Sequence, residues 1–122
     1  VVEINKHLSD IGVKLAKHEK IDNVSIKNTD FKEYDTDKKY DLVMSLAIHR
    51  WVRLDFDKYL EKIAGLVKKE GLLLMESHVI YNNEGDYIED DLERSKSFKI
   101  IEKGTIDDHD GKYREFFWLE RI

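Results

Sequence analysis

The 122 residues are 41% hydrophobic and 39% charged, the balance of a folded globular chain rather than a disordered one. A net charge of -5 disfavours broad attraction to nucleic acid, which draws on neutralisation of phosphates by Lys and Arg. The absence of cysteine excludes disulfides, thiolate nucleophiles and Cys-ligated zinc, and no apolar run approaches the length of a membrane span. No secretory leader is recognised, so a cytoplasmic protein is expected. The length suits one domain over 1–122. With no proline in the chain, glycine and Asx residues must make the turns.

Val1-Val2-Glu3-Ile4 reads as a strand, and Asn5 can cap the helix that follows. Leu8, Ile11, Gly12, Leu15 and Ala16 recur at helical spacing and predict a sheet-covering helix over 6–20. Gly12 costs that helix stability, and close approach to the sheet is the expected compensation. Asp22-Asn23 breaks the helix. A short strand over 24–28 then ends at Thr29-Asp30-Phe31, and the polar stretch 32–39 reads as a loop or a helical turn.

Residues 41–46 form an apolar run with an acid at its head, the pattern of a strand buried on both faces. Polar and cationic groups follow at once, in Ser45, His49, Arg50, Trp51 and Arg53. Asp55 is a candidate cap for a second helix, with Phe56, Tyr59, Leu60, Ile63, Ala64 and Val67 as its stripe. Lys68 and Lys69 are expected in its last turn, and Gly71 is expected to stop it or turn the chain. Residues 72–76 predict another doubly buried strand, with Glu76-Ser77-His78 at its carboxyl end. Residues 82–86 read as a loop and Tyr87 to Ser97 as a weaker helix. A final hairpin pairs about 98–106 with 113–120 around a polar turn.

This order predicts an α/β fold, Rossmann-like, with a mainly parallel sheet and an antiparallel C-terminal strand. In such sheets ligands bind beyond the carboxyl ends of the strands, where Glu3, Asp30, His49, Glu76 and His78 all fall. A neutral imidazole at His49 is available as a base near pH 7, and Glu76 and His78 can converge with it. From spacing alone, His49 and Trp51 read equally well as residues capping a core. The histidine and acid spacing matches no recognisable zinc signature, so no metal is expected. His7, His18 and His109 sit in polar surroundings and invite no catalytic role.

The segments YDLVMSLAIHRWV, DFDKYLEKIAGLVKKEG and LLLMESH resemble the fourth strand, following helix and fifth strand of class I S-adenosylmethionine-dependent methyltransferases. VVEINKHL resembles the second strand of that family, and NTDF the end of its third. The resemblance implies S-adenosylmethionine as cofactor and direct methyl transfer. Glu3 would accept the ribose hydroxyls, Asp30 the adenine amino group, and Phe31 would lie beside the ring. Ser45 to His49 would line the cofactor and the methyl acceptor, and the acidic balance favours a small-molecule acceptor over nucleic acid. The first strand and glycine-rich cofactor loop of the family are not recognised, since Gly12, Gly65, Gly71, Gly85, Gly104 and Gly111 do not cluster. Either the domain is N-terminally truncated or it has lost that loop; a truncated domain, inactive alone, is the expectation. Its unpaired edges favour self-association or a complementing N-terminal segment. The alternative is a noncatalytic Rossmann-like interaction module.

Overall fold

A computed structural model describes residues 1–122 as two compact units, Val1–Thr36 and Asp37–Ile122. The first unit holds β1 (Val2–Glu3), α1 (Lys6–His18) and β2 (Lys27–Asn28). The two strands pair in parallel, with Glu3 opposite Asn28. The Asn28 amide donates to the carbonyls of Glu3 (3.0 Å) and Ile4 (3.1 Å), tying the two strand ends together. Asn5 caps α1 as expected, its side chain accepting from the Leu8 N–H. The compensation at Gly12 is also present: a Cβ there would lie 2.6 Å from Ile26 Cδ1. The stripe itself is less buried than its periodicity predicts. Leu8, Ile11 and Leu15 are about half exposed, and Ser9 is the buried residue of α1. Two strands of two residues each offer too little sheet to cover a 13-residue helix.

The second unit begins with β3 (Tyr40–Leu46), the short α2 (His49–Val52) and α3 (Phe56–Leu66), followed by β4 (Val67–Glu76). The chain continues through β5 (Ile80–Tyr81), β6 (Glu84–Gly85), α4 (Glu89–Arg94), β7 (Phe98–Asp107) and β8 (Tyr113–Arg121). One mixed six-stranded sheet results, in the order β3-β4-β8-β5-β6, with β7 on β8. Only β3–β4 is parallel in it; β4–β8, β7–β8, β5–β8 and β5–β6 are antiparallel.

Tyr59, Leu60, Ile63 and Ala64 of α3 enter a core with Val67, Leu73, Met75, Phe117 and Leu119 from the sheet. Leu92 of α4 and Phe98 of β7 are buried as well. The apolar run of β3 is not buried on both faces. It forms a sheet edge at which Leu42, Met44 and Leu46 stay exposed while Ser45 is buried. In β4, Leu73 and Met75 are buried and alternate with the half-buried Leu72 and Leu74. Lys68 and Lys69 belong to β4 rather than to the last turn of α3. The ladder jumps there from Tyr40↔Val67 to Leu42↔Leu72, so Lys68–Gly71 form an excursion. Gly71 serves that excursion, because a Cβ would meet Lys68 O at 2.9 Å and Asp41 O at 3.1 Å.

The loop expected at 82–86 is in fact the tight β5–β6 hairpin. Asn82 and Asn83 at its tip have φ of 51° and 61°, the paired positive values that a type I′ turn demands. The final hairpin forms as expected, running from Phe98↔Arg121 to Asp107↔Tyr113. No helix is long and apolar enough to cross a membrane.

Candidate functional site

In the second unit, three segments meet around one buried carboxylate. Beyond β3 the chain turns at Ala47 (φ 51°), and its N–H extends the ladder to Glu76 O at 3.1 Å. The turn starts α2, whose single coil buries His49 and Val52 and leaves Trp51 79% exposed. Beyond β4, Ser77 is locked in place. Its N–H donates to Glu115 O, its hydroxyl donates to His78 O, and it accepts from the Glu115 N–H. His78 follows, and the β5–β6 hairpin then delivers Asp86.

Asp86 is 5% exposed and is gripped on both oxygens. Oδ1 accepts from Arg50 Nε at 2.9 Å, and Oδ2 accepts from the His78 backbone N–H at 2.8 Å. His49 Nε2 lies 2.8 Å from the same Oδ2 but off the line of a ring N–H. That contact is a close polar approach rather than an aligned hydrogen bond, and both ring nitrogens of His49 and Nε2 of His78 are buried without a hydrogen-bond partner. Burial works against the charge on Asp86. The His49 contact, the His78 N–H and the His49 and Arg50 charges outweigh it and hold the pKa at about 2. Burial lowers the pKa of His78, and the charges of His49, Arg50 and Arg114 reinforce that against the pull of Asp86. The His49 and His78 rings meet edge to face at 4.8 Å, and Phe56 closes on His49 at 5.3 Å. A cleft of about 220 Å³ opens beside them, lined by His49, Arg50, Phe56, Asp86 and Tyr87 among others.

His49 and His78 therefore converge as the sequence suggested, but Glu76 is not the acid that joins them. Its carboxylate is paired with Arg114 at 3.0 Å. Asp86 was missed because it falls in the stretch read as a loop; the Asn82-Asn83 pair was the available signal for a hairpin aiming it back. Ser45, expected against the cofactor, is 1% exposed, and its hydroxyl is committed to the Tyr59 hydroxyl at 2.7 Å beneath α3.

In the first unit, Glu3 ends β1, and its Oε1 accepts the Asn5 N–H at 2.8 Å. Asp30 stands two residues beyond β2 and accepts the Lys32 N–H at 2.9 Å, with Phe31 half-buried beside it. One carboxylate thus lies at, and the other two residues beyond, the carboxyl ends of adjacent parallel strands.

No protein-family model matches the chain, and no curated protein sequence does. Among solved structures it is similar to N-methyltransferase NodS from Bradyrhizobium japonicum WM9 in complex with S-adenosyl-L-homocysteine. There the TM-score is 0.76 at 10% identity, covering 99% of this chain and 65% of that one. It is also similar to the M. jannaschii tRNA m1G37 methyltransferase, with TM-score 0.69, 17% identity, and 99% of this chain against 36% of that one. Coclaurine N-methyltransferase bound to N-methylheliamine and S-adenosylhomocysteine matches with TM-score 0.71 and 13% identity, over 86% of this chain and 38% of that one. The Rossmann-like fold of S-adenosylmethionine-dependent methyltransferases is therefore the fold of this chain.

Proposed function

We propose that this chain forms the larger part of a class I methyltransferase domain, which moves the methyl group of S-adenosylmethionine onto a small-molecule acceptor. The observation that carries the reading is the pair of carboxylates, Glu3 at the end of one strand and Asp30 just beyond the end of its parallel neighbour, in a methyltransferase fold. Their chemistry suits the nucleoside half of the cofactor. Glu3 has one oxygen on the Asn5 N–H, and a carboxylate so placed has further lone pairs for a ribose diol. Asp30 is the acceptor for the adenine amino group, with Phe31 alongside. The cofactor supplies an electrophilic methyl group; this chain's residues bind and orient.

On the acceptor side we assign His49 and His78, with Glu76 on the neighbouring strand end. Methyl transfer depends on in-line positioning more than on acid–base machinery, and the packed rings and the Asp86 grip provide rigid surroundings for it. Burial lowers the His78 pKa and so favours the neutral imidazole that a proton acceptor needs. The net charge of -5 supports a small acceptor over RNA, and the proposed setting is cytoplasmic. The solved neighbours include enzymes named for both kinds of substrate.

The test is a labelled-methyl assay of the full-length protein against amine and phenol acceptors and against tRNA. Repeated turnover on a small molecule with none on tRNA is expected. Transfer confined to tRNA would reject the acceptor class, and no transfer and no cofactor binding would favour the interaction module.

A further inference from the structure

We propose that His49, His78 and Asp86 form a binding site for a first-row divalent transition-metal ion. One ligand atom from each lies within 4.8 Å of the others. Ligand atoms around a tetrahedral ion at ordinary bond lengths are about 3.3 Å apart, so the set needs to close by about 1.5 Å at its widest. The choice of metal follows from the donors. Two imidazoles and one carboxylate suit zinc, cobalt, nickel, manganese or ferrous iron, whereas magnesium and calcium prefer oxygen throughout.

The orphaned nitrogens separate this site from an ordinary Asp–His pair. An Asp–His pair places the ring N–H on the carboxylate. Here His49 Nε2 sits 2.8 Å from Asp86 Oδ2 without that alignment, and His49 Nδ1 and His78 Nε2 are left buried and unpartnered. Buried polar atoms are costly to leave unpaired, and one nitrogen from each ring with one Asp86 oxygen makes a three-atom donor set for a cation. The surroundings fit as well. Arg50 on Oδ1 and the His78 N–H on Oδ2 fix the carboxylate, the kind of outer support that orients ligands. His49 and Asp86 also line the cleft of about 220 Å³, which leaves room for an exchangeable ligand at an open position.

The inference goes beyond the methyl-transfer reading. An ion held there would take the His49 lone pair and would supply Lewis acidity at its open position. Metal binding is read without a methyl donor, so failure here leaves the methyl-transfer reading standing.

The experiment titrates Co²⁺ into metal-stripped full-length protein, followed by calorimetry and visible absorption. One saturable equivalent is expected. His78→Gln and Asp86→Asn should each weaken it at least about tenfold, while His109→Gln, in the β7–β8 turn, leaves it unchanged. A parallel titration of the wild-type protein with Zn²⁺, read by histidine ring NMR, needs no variant to fold. It should shift His49 and His78 and leave His7, His18 and His109 in place. Absence of a saturable Co²⁺ equivalent, or Zn²⁺ shifts confined to the exposed histidines, would overturn the site.

Discussion

Ser45 and Tyr59 show how a polar pair is spent inside the core. Their hydroxyls meet at 2.7 Å, and burial pushes the Tyr59 phenol up to about 12, against the lowering effect of that hydrogen bond. The unfolded phenol titrates near 10, so the folded state resists ionisation. The associated stability is complete below about pH 10 and is lost as pH rises toward 12, by about 2–3 kcal/mol in all. Tyr59→Phe removes that loss. In urea unfolding, the variant should be about 1 kcal/mol less stable at pH 8, where Ser45 is left unpaired, and should match or exceed wild type by pH 11. Parallel pH curves for the two proteins would contradict the burial argument. At this scale the sequence was partly legible. His49 and His78 stood out as cationic and polar groups at strand ends, whereas Ser45 pointed to a ligand because alternation says which residues share a face but not which face is covered. Asp86 carried no signal of its own, since its importance comes from the hairpin that returns it to His49.

That hairpin is the element on which the buried cluster depends. Asn82 and Asn83 both take left-handed backbone, which a β-branched side chain resists. Asn83→Val should therefore cost about 1 kcal/mol of unfolding free energy, while Asn83→Gly is neutral or slightly stabilising. Denaturant unfolding of both variants checks this, and equal stability of the two would show that the turn is not held in that form. Element type was read well where periodicity was long, as in α1, α3 and the β7–β8 hairpin. It failed for single-turn α2 and for the two-residue strands β5 and β6, which are too short to carry a period. The apolar run of β3 reads as doubly buried because composition alone cannot distinguish a central strand from an edge strand with a half-covered face. The exposed edge of β3, with Leu42, Met44 and Leu46, is where the expected association of unpaired edges would act.

Across the whole molecule, the order of elements carried the α/β fold, because alternating strands and helices leave few ways to bury both. The split into a parallel pair and a mixed six-stranded sheet was not legible, since strand pairing depends on long-range register that local patterns do not encode. The solved structures share the fold at 10–17% identity and show the fold alone, so the proposed division of labour between carboxylates and histidines is argued from this chain's own residues. Calorimetric titration of S-adenosylhomocysteine into full-length wild-type, Glu3→Ala and His49→Ala proteins tests it most directly. The account predicts saturable wild-type binding, a loss of about ten- to a hundredfold in Glu3→Ala, and near-wild-type affinity in His49→Ala. Equal affinity of Glu3→Ala and wild type would contradict it.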